Sequence, residues 1–259
     1  MKTLKIIALT LLLSMIFTVC VYATADSEKI NWSFKSTGTN QRPKILGGKS
    51  IPQLENALYM GNEGDKTVYL TFDIGYSNEN LIKTLDVLKS HDIKAAFFIL
   101  PGILKYSPEV VKRIADEGHL VCNHSTSHGD MSKITDIEAF KKELSGIEEK
   151  YKSVCGLELA KYFRPPQGTF STKTLEFCNE LGYTPVFWSF AYADWDNDKQ
   201  PNAEKAKEKI FSQLHDGMVM LLHPTSKTNA DILDDVIKEF MSRGYSFGTL
   251  DELAEKTRE

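Results

Sequence analysis

Thr67-Val68-Tyr69-Leu70-Thr71-Phe72-Asp73 opens the stretch that decides the fold. An apolar run of strand length, 68–72, ends on a carboxylate. A stretch of helical period follows at 80–90, and then a second apolar run, Ala95-Ala96-Phe97-Phe98-Ile99-Leu100. Short apolar runs alternating with longer helical stretches are the signature of βα units and a parallel sheet. The alternation continues to the C-terminus. Further strands are expected at 120–123, 162–164, 185–190, 218–223 and 246–249, and helices at 108–117, 136–154, 171–181, 203–215 and 230–243. Glycines at 118, 182, 217 and 244 punctuate the helix ends. About seven strands with intervening helices favour an α/β barrel over an open doubly wound sheet. No Gly-x-Gly-x-x-Gly follows the first strand, so the dinucleotide-binding fingerprint is missing.

N-terminal to this pattern the chain changes character twice. Lys2 and Lys5 precede an apolar run to about Ala23, closed by Ala23-Thr24-Ala25. That is the pattern of a secretory signal peptide, residues 1–25. The run is also long enough to serve as an uncleaved membrane anchor. Either way the protein is expected to be exported and to work outside the cytoplasm. Residues 26–66 are polar and irregular, and are read as an arm lying on the domain with no chemistry of its own. One short helix is expected there, from Ser50-Ile51-Pro52 through Met60. Residues 67–259 are expected to form one domain that carries whatever chemistry the chain performs.

Loss of the leader lysines leaves 29 bases against 35 acids. A mildly acidic protein is a poor candidate for binding nucleic acid through phosphate neutralisation. Cys122, Cys155 and Cys178 are an odd, sparse set, better suited to free thiols than to a disulfide framework. No amphipathic seam points to an oligomer, so a monomer is expected.

In parallel α/β barrels the chemistry gathers where strands end. Of the six histidines, His91, His119 and His215 fall before strands or at their starts, while His124, His128 and His223 fall at or just past strand ends. Asp73, Arg164 and Asp194 join the second group. His124 and His128 are four residues apart, a spacing that on a helical turn lets both imidazoles hold one metal. Catalytic zinc usually takes three protein ligands, so the pair alone is incomplete. Asp73 is either a helix cap or a base; Gly75 and Tyr76 before the next helix favour the base. Arg164 is followed by Pro165-Pro166, which fixes its direction and suits an ion pair with a carboxylate. His223 emerges from a buried run beside Asp194, which could hold it protonated as a general acid. Trp195 and Tyr192 flank Asp194 and could line a sugar site or simply pack.

Thr71-Phe72-Asp73, His124-Ser125-x-x-His128, Arg164-Pro165-Pro166-x-Gly168, Asp194-Trp195 and Leu221-x-His223 resemble, in order and spacing, the five motifs of the polysaccharide deacetylases of carbohydrate esterase family four. Val186-Phe187-Trp188-Ser189, Leu221-Leu222-His223 and Asn229-Ala230 are most similar to the branch of spore-former peptidoglycan de-N-acetylases that form muramic-δ-lactam. The resemblance implies a distorted (β/α) barrel and metal-assisted removal of N-acetyl groups from a peptidoglycan glycan strand. It implies that His124 and His128 hold a divalent metal, with zinc the first candidate, and that Asp73 is the base, steadied by Arg164. His223, oriented by Asp194, would be the acid. The Gln167 backbone N–H would stabilise the oxyanion, and Trp195 and Leu221 would wall the acetyl pocket. One position departs from the pattern: a second acid, normally a metal ligand, is replaced by Ile74. That departure keeps open a glycan-binding pseudoenzyme on the same barrel. An O-acetyl esterase would use the same machinery.

Overall fold

The computed structural model describes residues 27–47 and 51–258. The leader lies outside the described residues. In chain order the strands are β1 (Ile30–Asn31), β2 (Phe34–Lys35), β3 (Lys44–Ile45), β4 (Thr67–Ile74), β5 (Ala96–Ile99), β6 (Leu120–Asn123), β7 (Ala160–Phe163), β8 (Thr169–Phe170), β9 (Thr184–Pro185), β10 (Met218–Leu222) and β11 (Ser246–Gly248). The α-helices are α1 (Glu79–Ser90), α2 (Pro101–Tyr106), α3 (Pro108–Asp116), α4 (Ile137–Cys155), α5 (Thr172–Glu180), α6 (Ala203–Ser212), α7 (Lys227–Ser242) and α8 (Leu250–Arg258).

Parallel pairing runs β10-β4-β5-β6-β7-β9, with β11 added beside the start of β4. The sheet curls round, and a parallel bridge between Phe190 and Met220 brings its two ends together. The result is the distorted (β/α) barrel of seven strands that the alternation implied.

The period of two along β4 divides the core into layers. Val68, Leu70, Phe72 and Ile74 pack outward with Leu81, Leu85 and Leu88 of α1. Tyr69 packs inward with Phe98, Cys122 and Val219. Asp73 follows the inward parity and reaches the barrel mouth. Ile74 follows the outward one and is buried in the helix-facing layer.

Asn78 begins α1, its side-chain oxygen accepting the N–H groups of Asn80 and Leu81 at 3.1 and 3.2 Å. The cap is therefore Asn78, and Asp73 is left free of that task.

Several expectations are corrected. The run 185–190 is a ladder strand only at Thr184–Pro185. Val186 bridges to Leu58 and Phe190 to Met220: Leu58 donates to the Pro185 carbonyl and accepts the Phe187 N–H, while the Ser189 and Phe190 N–H groups donate to Val219. Helix α2 is an element beyond those expected; proline at its first position costs no intrahelical bond. The helix expected at 50–60 is a 3₁₀ turn over Pro52–Asn56. The three cysteines among the described residues are free thiols, with Cys122 and Cys178 buried and Cys155 partly so.

The arm is tied down by several contacts. β1 pairs antiparallel with β8, and β2 with β3. Trp32 is buried, stacked on Phe187 with ring centroids 4.4 Å apart.

Candidate active site

Four strand ends deliver the ionisable groups to one mouth. Asp73 comes from β4, His124 from just past β6, Arg164 from just past β7 and His223 from just past β10. Arg164 is fully buried, with its guanidinium 4.1 Å from the centroid of Phe98. Its Nη1 donates to Asp73 Oδ1 at 2.7 Å, and Nη2 donates to Thr71 Oγ1 at 2.8 Å. Such a fork fixes the carboxylate in direction as well as charge. Burial alone would raise the Asp73 pKa, but the charges of Arg164, His124 and His223 outweigh it and hold the carboxyl below its ordinary value. Asp73 is therefore an ionised acceptor.

Arg164 also acts through its backbone. Its carbonyl oxygen lies 2.9 Å from Nδ1 of His124. A carbonyl only accepts, so that nitrogen carries the proton and Nε2 keeps its lone pair. Burial pushes the His124 pKa down to about 4, against the pull of Asp73. Nε2 then faces Asp73 Oδ2 at 3.4 Å. Two acceptors turned toward each other in a buried mouth call for a positive or proton-bearing group between them.

His124 and His128 do come together, although not on a helical turn. The loop between them is irregular, with Ser125 at φ 72° and His128 at φ 54°. Asn123 Oδ1 accepts the Ser125 N–H at 2.9 Å, and Ser125 Oγ accepts the His128 N–H at 2.9 Å. Glu143 on α4 accepts the N–H groups of Thr126 and Ser127 at 3.2 and 2.9 Å. So held, the two imidazoles meet edge to face with centroids 5.1 Å apart. Burial lowers the His128 pKa as well, so both rings favour the neutral, ligating form. They suit a divalent cation with water completing its coordination. Among the described residues no cluster of three or more His, Cys, Asp and Glu side chains has metal-binding geometry. Asp130 is committed elsewhere, paired with Lys29 at 2.9 Å and with Ser132 Oγ at 2.6 Å.

His223 stands across the mouth. Its Nδ1 lies 2.8 Å from Asp194 Oδ1, and its backbone N–H donates to Asp194 Oδ2 at 2.8 Å. Burial opposes a charge on this imidazole. The hydrogen bond and charge of Asp194, with help from Asp73, prevail and raise its pKa above the ordinary 6.5. Nε2 is left to carry a proton into the pocket.

Asn229, which sequence reasoning passed over as a site residue, completes this unit. Its Nδ2 donates to Asp194 Oδ2 at 2.6 Å and to the His223 carbonyl at 3.1 Å, while its Oδ1 accepts the Tyr192 hydroxyl. Glu143 was passed over too. Asn229 touches site residues and Glu143 the loop between two of them, neither lining the pocket, and spacing gives no signal for that.

Asp73, His124, His128 and His223 line a pocket of about 620 Å³, together with Gln167, Trp188, Tyr192, Trp195 and Leu221. Gln167 turns left-handed at φ 58° just after Pro165-Pro166. Leu221 is buried, whereas Trp195 is 63% exposed with its ring edge-on to His223, centroids 6.2 Å apart. The pocket thus has an apolar wall, an open aromatic rim, and an ionised carboxylate facing an imidazole whose pKa is raised.

The chain belongs to the polysaccharide deacetylase family. The family's model matches residues 60–186. The chain is 39% identical over 230 residues to the peptidoglycan-N-acetylmuramic acid deacetylase PdaA of Bacillus subtilis, covering 88% of this chain and 86% of that protein. The solved PdaA structure, a family 4 carbohydrate esterase, matches with a TM-score of 0.83 over 88% of this chain and 97% of that one, at 38% identity. A family 4 carbohydrate esterase from Bacillus anthracis matches with a TM-score of 0.72 at 35% identity, over 89% and 98% of the two chains. A CE4 family pseudoenzyme from the same organism is similar at a TM-score of 0.70 and 27% identity, over 76% and 68%. The chain is accordingly a hydrolase of the polysaccharide N-deacetylase class.

Proposed function

We propose that this protein removes N-acetyl groups from cell-wall peptidoglycan, acting on N-acetylmuramic acid as a step toward muramic-δ-lactam in spore cortex. The observation that carries the chemistry is the opposed pair across the mouth, Asp73 with its pKa lowered and His223 with its pKa raised. Two groups shifted apart in this way divide the roles of base and acid. The similarity to PdaA supports the choice of glycan.

In this reading Asp73 takes the proton of the attacking water while Arg164 keeps the carboxylate aimed. The backbone N–H of Gln167 would donate to the developing oxyanion. Leu221 and Trp195 would seat the acetyl methyl and the sugar face. His223 Nε2 would hand its proton to the departing amine, leaving a neutral imidazole still held at Nδ1 by Asp194. A divalent metal held by His124 and His128, zinc in the first instance, would supply Lewis-acid polarisation of the acetyl carbonyl. Residues 67–259 would be the catalytic unit, carried outside the cytoplasm by a leader at 1–25 with 26–66 as an arm.

The deciding experiment treats amidase-stripped peptidoglycan with the protein, with and without added divalent metal, and reads the glycan by mass spectrometry. Loss of acetyl from muramic acid is the expected result. Loss only from O-acetylated glycan would favour an esterase. A second reading, a glycan-binding pseudoenzyme, draws on Ile74 in place of an acid and on the similarity to a pseudoenzyme. It predicts binding without turnover, unchanged in Asp73→Asn.

A further inference from the structure

We propose that Trp32, in the N-terminal arm, is a positioning residue for catalysis: it locks together the Gln167 turn and the stretch around Trp188, which form the oxyanion side of the pocket. The inference rests on the deacetylase reading above.

That side has two parts, the Gln167 turn and the segment around Trp188, and both line the pocket. Trp32 bonds to each. Its backbone N–H donates to the Gly168 carbonyl at 2.8 Å, next to the left-handed Gln167. Its indole Nε1 donates to the Trp188 carbonyl at 2.8 Å. Its ring stacks on Phe187, the neighbour of Trp188, with only 17° between the planes. One residue upstream, β1 pairs Ile30 with Phe170 and Asn31 with Thr169, fastening the far side of the same turn.

The fit leaves no slack. Gly168 sits at φ 65°, and a Cβ there would lie 2.8 Å from the Trp188 ring and 2.9 Å from Trp32 Cβ. The turn carrying Gln167 is thus closed between the indole of Trp188 and the Cβ of Trp32, the second supplied by the arm. A backbone donor serves an oxyanion only if it is already aimed, since an error of about 1 Å can cost about 100-fold in rate. The Gln167 turn has a strained, left-handed centre and no long ladder of its own; Trp32 supplies the restraint it lacks.

His223, Asp194 and Asn229 lie on other segments and bond to one another, so Trp32 should govern the rate without altering the acid. The test is steady-state kinetics of full-length Trp32→Ala and Trp32→Phe on N-acetylated glycan, with pH profiles and thermal melts. Trp32→Ala is expected to lower kcat about 10- to 100-fold with KM changed less than about threefold. Its alkaline pH limb, set by His223, should stay in place. Trp32→Phe keeps the stacking and loses only the indole N–H, so a kcat loss of about three- to tenfold is expected. A folded variant with wild-type kcat overturns the proposal, as does a rise in KM alone. Should Trp32→Ala not fold, Trp32→Phe decides by the same criteria. Wild-type protein that turns over no glycan overturns the deacetylase reading and this inference with it, whereas active wild type with unaffected variants overturns this inference alone.

Discussion

Asp194 grips His223 twice, with Oδ1 at the ring nitrogen Nδ1 and Oδ2 at the backbone N–H, both at 2.8 Å. The carboxylate therefore sets both the charge and the position of the imidazole. Asp194→Asn removes the charge while keeping the shape. Burial then dominates, and the His223 pKa should fall below 6.5 instead of lying above it. The alkaline limb of the pH–rate profile should move downward, and kcat should fall about 100-fold or more. An unmoved limb would assign the titration to another group.

The same shift has a stability consequence. His223 has a raised folded pKa, so its contribution to stability is complete below its unfolded value of 6.5 and disappears as pH rises through the folded value. Denaturant melts across pH 5–9 should show this loss on the alkaline side in wild type. They should not show it in Asp194→Asn.

Arg164→Lys should be costly despite conserving charge. A lysine cannot bridge Asp73 and Thr71 at once, and it leaves buried acceptors without donors. A loss of about 2–4 kcal/mol in unfolding free energy is expected. Asp73, with its lowered folded pKa, stabilises the wild type above its unfolded value and ceases to do so as pH falls through the folded one. In Arg164→Lys the folded value is lowered less, so that acid-side loss should be smaller and complete at higher pH.

Divalent cation binding should depend on His124 and His128 and on the residue that shapes their loop. Calorimetry with zinc should show weakened binding in His124→Ala and His128→Ala. Glu143→Ala, which frees the N–H groups of Thr126 and Ser127, should weaken it about tenfold. Equal affinity in all four proteins would remove the imidazole pair from the metal account.

Much of this was legible in the sequence where period and position carry the signal. The buried runs of β4, β5, β6 and β10 stand out because apolar side chains are needed on both faces of a barrel strand. Their last residues could be assigned to the mouth by rule. What escaped lay in contacts between distant segments. Trp32 is a large aromatic in a polar stretch, and that mismatch was the one available hint of its burial. The spacing of His124 and His128 suggested a helical turn, yet two left-handed residues do the work, and positive φ at serine and histidine leaves no mark in composition. Asn229 enters the sequence reading only through the resemblance of Asn229-Ala230; its bonds to Asp194 and His223 exist only once β10 and α7 are in place.

The bond from His124 to the Arg164 carbonyl has a genetic consequence. Every L-amino acid at position 164 would still offer that carbonyl, while only arginine offers the fork that aims Asp73. A codon change at 164 would then release the Asp73 carboxylate and spare the His124 tautomer. The two duties of one residue are inherited separately, so descendants of such a chain would lose the aim of the carboxylate first and keep the open lone pair of the imidazole.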